Sequence, residues 1–225
     1  MSTVTTPPLT FETAEDLLSR LGDVPLRRVR LSPPPGTATE ADLLRLARQN
    51  DRLYELIDGT LVEKVAGWLE SALAMLIGRL IGAFVDANDL GIVVGADAPM
   101  RLFSSQVRMP DVAFASWDRL PGRTIPTQPI PDLAPDLAIE VLSQGNTPGE
   151  MERKRRDYFA AGVRLVWEVD PRTRTVHAYT APDVVTTLTE RDTLDGGDVL
   201  PGFTLPVKQL FARTPAAPKR RRRSP

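Results

Sequence analysis

The clearest fold signal in the chain is residues 137–169, LAIEVLSQGNTPGEMERKRRDYFAAGVRLVWEV. The apolar run Leu137–Leu142 predicts a buried strand, and Leu165–Val169 predicts another. Between them, residues 148–161 predict a helix that starts at Pro148 and stops at Gly162. A strand–helix–strand crossover of this length implies that the two strands run parallel in one sheet.

The segments before this crossover predict further strands and helices. Asp58-Gly59 between two alternating runs is a strong hairpin signal. Apolar residues at spacings of three and four follow and predict a long helix. The predicted elements are a helix from Thr39 to about Asn50, the hairpin Tyr54–Lys64, the helix Leu69–Asn88, and strands at Ile92–Val94, Met100–Phe103 and Val112–Ala115. We expect these strands to be antiparallel, with Met100–Phe103 continuing the strand Ile92–Val94 or pairing with it.

These elements predict an α/β fold with a mixed central sheet and flanking helices. Residues 40–211 are expected to form this domain. Residues 1–39 are proline-rich and form an N-terminal extension, in which a short helix is expected at Ala14–Leu21. Residues 212–225 form a basic tail that we expect to be disordered, because it combines prolines with like charges.

Composition restricts the chemistry available to the chain. It contains no cysteine and one histidine, His177. Thiolate zinc sites, disulfides and cysteine nucleophiles are therefore excluded, as is a site built from several histidines. Any bound metal must be held mainly by oxygen atoms, which favours Mg²⁺ or Mn²⁺ over zinc.

The charges are unevenly distributed. The net charge is −1, and the tail Lys219–Arg223 carries five positive residues; without it, 23 basic residues face 29 acidic ones. The body is therefore not a typical basic nucleic-acid-binding surface, although the tail could contact phosphates. Residues 1–9 have neither a basic start nor an apolar run, so we expect no signal peptide there. The apolar stretch from Trp68 to Val85 contains Glu70 and Arg79. We expect a cytoplasmic protein that does not enter a membrane.

Three residues are candidates for a catalytic site. Glu140 lies within an apolar strand, where a buried carboxylate needs an ion pair, hydrogen bonds or a metal. Asp111 directly precedes another strand, and Lys154 lies on the helix that follows Glu140. Two carboxylates can hold a divalent cation that activates water, and the lysine can position that water, help to deprotonate it or stabilise the transition state.

Each candidate also has a structural interpretation. Glu140 could be the buried ion-pair partner of Lys154 or Arg153. Asp111 could cap a turn, and Lys154 could lie on the helix surface. Several other polar and aromatic residues are expected to be mainly structural: Glu55, Glu63, Tyr158, His177 and the tryptophans Trp68, Trp117 and Trp167, which we expect in the core. Among them, Glu55 is the strongest further candidate for the site.

The motifs resemble the Uma2 family. The matching segments are Tyr54–Gly59, Pro110-Asp111, Glu140–Ser143, Lys154 with Tyr158 and Gly162-Val163, and Trp167–Pro171. They cover roughly residues 40 to 211. The family is similar to the PD-(D/E)xK restriction-endonuclease-like superfamily, whose core is αβββαβ.

This resemblance implies particular roles for the candidate residues. Asp111 and Glu140 would bind a metal, with the backbone carbonyl of Val141 as an additional ligand. The superfamily lysine normally follows the acid by two residues, and Leu142 stands at that position. The resemblance implies that Lys154 replaces it from the helix. Trp68 stands near the place where family members often carry histidine.

Three functions remain open at this point. The first is a metal-dependent endonuclease acting on nucleic acid, expected to be DNA, with a homodimer as a further expectation. The second is a catalytically inactive nucleic-acid-binding or scaffold domain that retains the fold. The third is another metal-dependent phosphodiesterase or hydrolase using the same site. Fold alone does not distinguish them.

Overall fold

The computed structural model describes residues 10–49, 52–65 and 67–214. Its helices are α1 (Ala14–Arg20), α2 (Glu40–Gln49), α3 (Trp68–Ala87), α4 (Pro148–Ala160) and α5 (Val207–Phe211). Its strands are β1 (Tyr54–Ile57), β2 (Thr60–Glu63), β3 (Gly91–Gly95), β4 (Met100–Phe103), β5 (Gln106–Arg108), β6 (Val112–Ser116), β7 (Leu137–Val141), β8 (Leu165–Asp170), β9 (Thr175–Ala181), β10 (Val184–Leu188), β11 (Thr193–Asp195) and β12 (Thr204–Pro206).

The central sheet has six strands in the order β10-β9-β8-β7-β6-β3. β7 and β8 run parallel, with Glu140 opposite Glu168, and α4 forms the crossover between them. The pairs β3–β6 and β6–β7 are antiparallel. The elements α3, β3, β6, β7, α4 and β8 therefore form the predicted αβββαβ core, and the predicted mixed sheet with flanking helices is confirmed.

The prediction for Met100–Phe103 is wrong. β4 neither continues β3 nor pairs with it; it pairs with β5, which also pairs with β1. These strands form a second sheet in the order β2-β1-β5-β4. The physical reason is the tight turn at Ser104-Ser105, which folds β4 and β5 into a hairpin of their own. In the sequence this hairpin lies between β3 and β6, which pair directly with each other in the central sheet.

One face of the central sheet is covered by α3 and α5. Leu73, Ile77 and Ile81 of α3 are buried against alternate residues of β7 and β8, which include the fully buried Trp167. By length and composition alone α3 is apolar enough to cross a membrane. In the fold, its buried residues form part of the main core, because every third or fourth position faces the sheet.

The other face of the central sheet contacts α4 and the hairpin β4–β5. Tyr158 of α4 and Met100 of β4 pack with Ala138 of β7. Side chains alternate across a strand, so Glu140 projects to the same face as Ala138. Glu140 is therefore directed into the space between the central sheet, α4 and the second sheet.

Residues 10–39 also contribute to packing. Leu17, Leu21 and Val24 form a cluster with Ile57 and Val62 of the second sheet. Residues 215–225, which include nearly all of the predicted basic tail, lie outside the described residues.

The three tryptophans differ in burial. Trp167 is buried as predicted, and Trp117 is half-buried, with its ring nitrogen donating to Asp89 at 3.0 Å. The prediction that Trp68 belongs to the core is wrong, because its side chain is 93% exposed. It opens the first turn of α3 on the face turned away from the sheet.

Gly22 allows α1 and α4 to approach each other. A Cβ atom on Gly22 would lie 2.4 Å from backbone atoms of Gly149 and Glu150, and Gly22 has a φ of +79°. Gly202 has a similar φ of +87°, but a Cβ there would meet nothing within 4 Å.

We expect Gly22→Ala to cost about 3 kcal/mol or more of unfolding free energy, and Gly202→Ala about 1 kcal/mol. Chemical denaturation of both variants measures the difference, and equal losses would contradict the close approach.

Candidate active site

The start of α4 is fixed by hydrogen bonds. The Thr147 hydroxyl accepts from the backbone N–H of Glu150 at 3.1 Å, and the Glu150 carboxylate accepts from the N–H of Thr147 at 3.4 Å. This capping box is anchored by Arg28, whose guanidinium donates to both Glu150 oxygens at 2.6 and 2.8 Å. Lys154 and Tyr158, four residues apart, lie on the same buried face of the helix.

Glu140 is bound by two side chains of α4. The Lys154 ammonium lies 3.1 Å from each Glu140 carboxylate oxygen. The Tyr158 hydroxyl donates to Glu140 Oε1 at 2.6 Å. Glu140 is 5% exposed and Lys154 is 3% exposed, so this ion pair is screened very little by solvent.

Glu55 of β1 extends the cluster to the second sheet. Its Oε1 lies 3.4 Å from Lys154 Nζ and accepts from the backbone N–H of Met109 at 3.0 Å. Its Oε2 accepts from the buried Arg108 guanidinium at 2.9 Å. Arg108 also donates to Asp157 of α4. A continuous chain of paired charges therefore links β1, β5, α4 and β7.

Asp111 lies beside the end of β7. Its backbone N–H donates to the Ile139 carbonyl at 2.9 Å, and its Oδ2 accepts from the N–H of Val141 at 2.8 Å. Its Oδ1 lies 2.8 Å from the ammonium of Lys64, the residue after β2. Asp111 is thus fixed next to the residue that follows Glu140, and it has a lysine partner of its own.

The environment separates the pKa values of the two glutamates. Burial raises the pKa of Glu140 to about 7, with Asp111 and Glu55 acting in the same direction and Lys154 opposing it. Burial would also raise the pKa of Glu55, but Lys154 and Arg108 outweigh it and hold that pKa at about 2. Burial works to lower the pKa of Lys154, but Glu140 and Glu55 raise it above its usual value. Lys154 is therefore protonated at neutral pH.

The oxygen donors near the end of β7 suit a divalent metal ion. Within the described ranges, no three Asp, Glu, His or Cys side chains converge as a ready-made metal site. Mg²⁺ needs fewer, because it binds through one or two carboxylates and keeps several waters. Asp111 and Glu140 supply two carboxylates at the end of β7, so the oxygen donors fit a hard divalent cation in number and type.

Residues 40–208 match the model of the Uma2 family, whose description is "Putative restriction endonuclease". The chain belongs to the Uma2 family. The match spans both sheets and includes the buried Glu55, Arg108, Glu140 and Lys154. The family resemblance predicted from the motifs is thereby confirmed.

The Uma2 fold is also similar to a solved structure. It is the crystal structure of a "putative nuclease belonging to DUF820" from Anabaena variabilis ATCC 29413. The sequences are 20% identical, the TM-score is 0.65, and the match covers 72% of this chain and 92% of that chain. This likeness supports the fold. No protein with a curated description matches the chain.

The structure of this Uma2 protein brings some of the predicted site residues together and places others elsewhere. Glu140 and Lys154 are in contact, while Arg153, the other ion-pair partner considered for Glu140, binds Asp58 at 2.7 Å. Glu55 joins the cluster. Among the remaining residues weighed from sequence, Glu63 pairs with Arg52 near the surface, and His177 contacts Thr187 on β10.

Sequence reasoning did not single out Lys64, Arg108 and Asp157. Arg108 follows a buried valine in a strand that was not predicted, so its burial had no local signal. Lys64 was assigned only to the end of the hairpin. These cations could have been sought from the sequence by requiring that each buried carboxylate have a cationic partner.

The raised pKa of Glu140 predicts a pH dependence of stability. Its pKa is about 7 in the fold against a usual 4.5, so the folded state holds this proton more tightly than the unfolded state. The corresponding stability is present below about pH 4.5 and is lost as pH rises to about 7. The loss expected without metal is about 3 kcal/mol. Glu140→Gln should lack this decline.

Chemical denaturation at pH 5 and pH 8 with a chelator present measures the effect. The matched control is Glu152→Gln, because Glu152 is a half-buried glutamate on the same helix that pairs with Arg156 outside the buried cluster. It should decline with pH as the unmodified protein does. If Glu140→Gln declined equally, Glu140 would not be the titrating group.

Proposed function

We propose that this Uma2 protein is a divalent-metal-dependent endonuclease that hydrolyses phosphodiester bonds in DNA. The observation that carries the proposal is the buried contact of Lys154 with both oxygens of Glu140, beside Asp111 at the end of β7. A lysine and two carboxylates together are the side chains that metal-assisted phosphodiester hydrolysis requires. Membership of a family described as "Putative restriction endonuclease" supports the same assignment.

Asp111 and Glu140 would hold the cation, Mg²⁺ or Mn²⁺, with the backbone carbonyl of Val141 as a further ligand. When bound, the ion would lower the pKa of a coordinated water and neutralise charge on the phosphate. The pKa of Glu140 near 7 indicates that Lys154 alone does not fully compensate its negative charge. Additional positive charge near Glu140 is therefore favourable.

Lys154 would act by its charge. Its pKa is raised by Glu140 and Glu55, so it does not release a proton readily at neutral pH. Of the roles considered for this lysine, positioning water and stabilising negative charge in the transition state fit a protonated ammonium. Tyr158 would keep Glu140 in place through its 2.6 Å hydrogen bond.

The nucleic-acid partner is proposed from the family rather than from surface charge. The body outside the tail is acidic, so phosphate contacts would come from local groups or from the basic residues 219–223. The homodimer, the cytoplasmic location and the absence of membrane contact stay predictions.

A second candidate is an inactive domain that binds nucleic acid or acts as a scaffold. The observation in its favour is the Lys64–Asp111 contact of 2.8 Å, which places a protein cation on one of the proposed metal ligands. In that case, the charge cluster would serve packing alone.

Cleavage of supercoiled plasmid with Mg²⁺ or Mn²⁺ tests the proposal. We expect cleavage by the full chain and a loss of roughly a hundredfold or more for Glu140→Ala and Lys154→Ala. Lys154→Arg should recover part of the activity at most, since a guanidinium differs in shape but keeps the charge. Lys208→Ala, a change at an exposed lysine on α5, is the matched control and should cleave normally.

Cleavage that survives in both Glu140→Ala and Lys154→Ala would contradict this site assignment. Absence of cleavage by the unmodified protein, together with metal-independent DNA binding, would support the inactive nucleic-acid-binding domain.

A further inference from the structure

Lys64 has a complete set of oxygen partners. Its ammonium donates to the backbone carbonyls of Met109 at 2.7 Å and Ala96 at 3.1 Å, and it lies 2.8 Å from Asp111 Oδ1. Its side chain is only 6% exposed. A lysine ammonium has three N–H donors, and here three oxygen atoms, from Ala96, Met109 and Asp111, occupy them. Lys64 therefore takes the place of a coordinated cation beside Asp111.

Asp111 has no unoccupied oxygen in this arrangement. Oδ1 faces Lys64, and Oδ2 accepts the N–H of Val141 at 2.8 Å. A divalent cation on Oδ1 would lie within a few ångströms of the Lys64 ammonium. The repulsion between two such charges at that distance is large in a site with little solvent.

Lys64 has space to move away. With Asp111 it lines a cleft of about 570 Å³ that runs along α3. Lys154, by contrast, lies between Glu140 and Glu55 and is 3% exposed. Of the two lysines, only Lys64 borders this cleft.

We propose that Lys64 is a positioning residue that competes with the divalent cation for Asp111. Without metal, Lys64 neutralises Asp111 and holds it beside β7. Metal binding requires Lys64 to leave Asp111 Oδ1 and turn into the cleft. This inference depends on the metal-binding part of the proposed function.

The competition is tested by measuring Mn²⁺ binding to the full chain. Calorimetric titration and the electron paramagnetic resonance signal of free Mn²⁺ both report this binding. We expect Lys64→Met to bind Mn²⁺ about tenfold more tightly than the unmodified protein, since one positive charge is removed. Asp111→Asn should bind far more weakly. Lys208→Met, which removes an exposed lysine, is the matched control and should bind as the unmodified protein does.

Lys64→Gln provides a second variant if Lys64→Met does not fold. Glutamine retains N–H donors for the carbonyls of Ala96 and Met109 but lacks the charge. It should also bind Mn²⁺ more tightly, and Mn²⁺ should raise its melting temperature more than that of the unmodified protein.

The outcomes separate the two proposals. If the unmodified protein binds Mn²⁺ and neither Lys64 variant binds more tightly, the competition is wrong and the metal-dependent function stands. If neither the unmodified protein nor a folded Lys64 variant binds Mn²⁺, both the competition and the metal dependence are wrong.

Discussion

The fold depends on the pairing of charges buried between its two sheets. Glu55, Arg108, Glu140 and Lys154 are each at most 5% exposed. An isolated charge at such a position would cost several kcal/mol, and a partner of opposite charge together with hydrogen bonds offsets much of that cost. Each of these groups contacts an opposite charge carried by a different strand or helix. The charges can be buried only when β1, β5, β7 and α4 are all in place, which ties the second sheet to the central one.

The same pairing defines the chemistry of the site. Lys154 is shared by two carboxylates, and Glu55 also has Arg108 as a partner. Glu55 therefore keeps a low pKa while that of Glu140 rises to about 7. Glu140 therefore has less compensating positive charge around it than Glu55, which contacts both Lys154 and Arg108.

The sequence was sufficient for the αβββαβ core because its signals are local. The periodicity of α3, the apolar β7 and the crossover through α4 depend on neighbouring residues. The second sheet was harder to predict from the sequence. β5 has three residues, two of them polar, and its strand identity comes from pairing with β1. Likewise, Glu140 and Lys154 were recognised by their context, while Lys64 reaches Asp111 through a contact 47 positions along the sequence that no local pattern encodes.

The two lysines differ in what their surroundings permit. Lys154 contacts two carboxylates on different sheets, so its removal would leave both underpaired and would weaken the junction itself. Lys64 is bound by one carboxylate and two neutral carbonyls, and an arriving cation could replace it on the carboxylate. A permanent cation at Glu140 and an exchangeable one at Asp111 would keep the site folded without metal while leaving one carboxylate accessible. The arrangement thus reconciles a stable buried charge cluster with the proposed binding of a metal ion at Asp111.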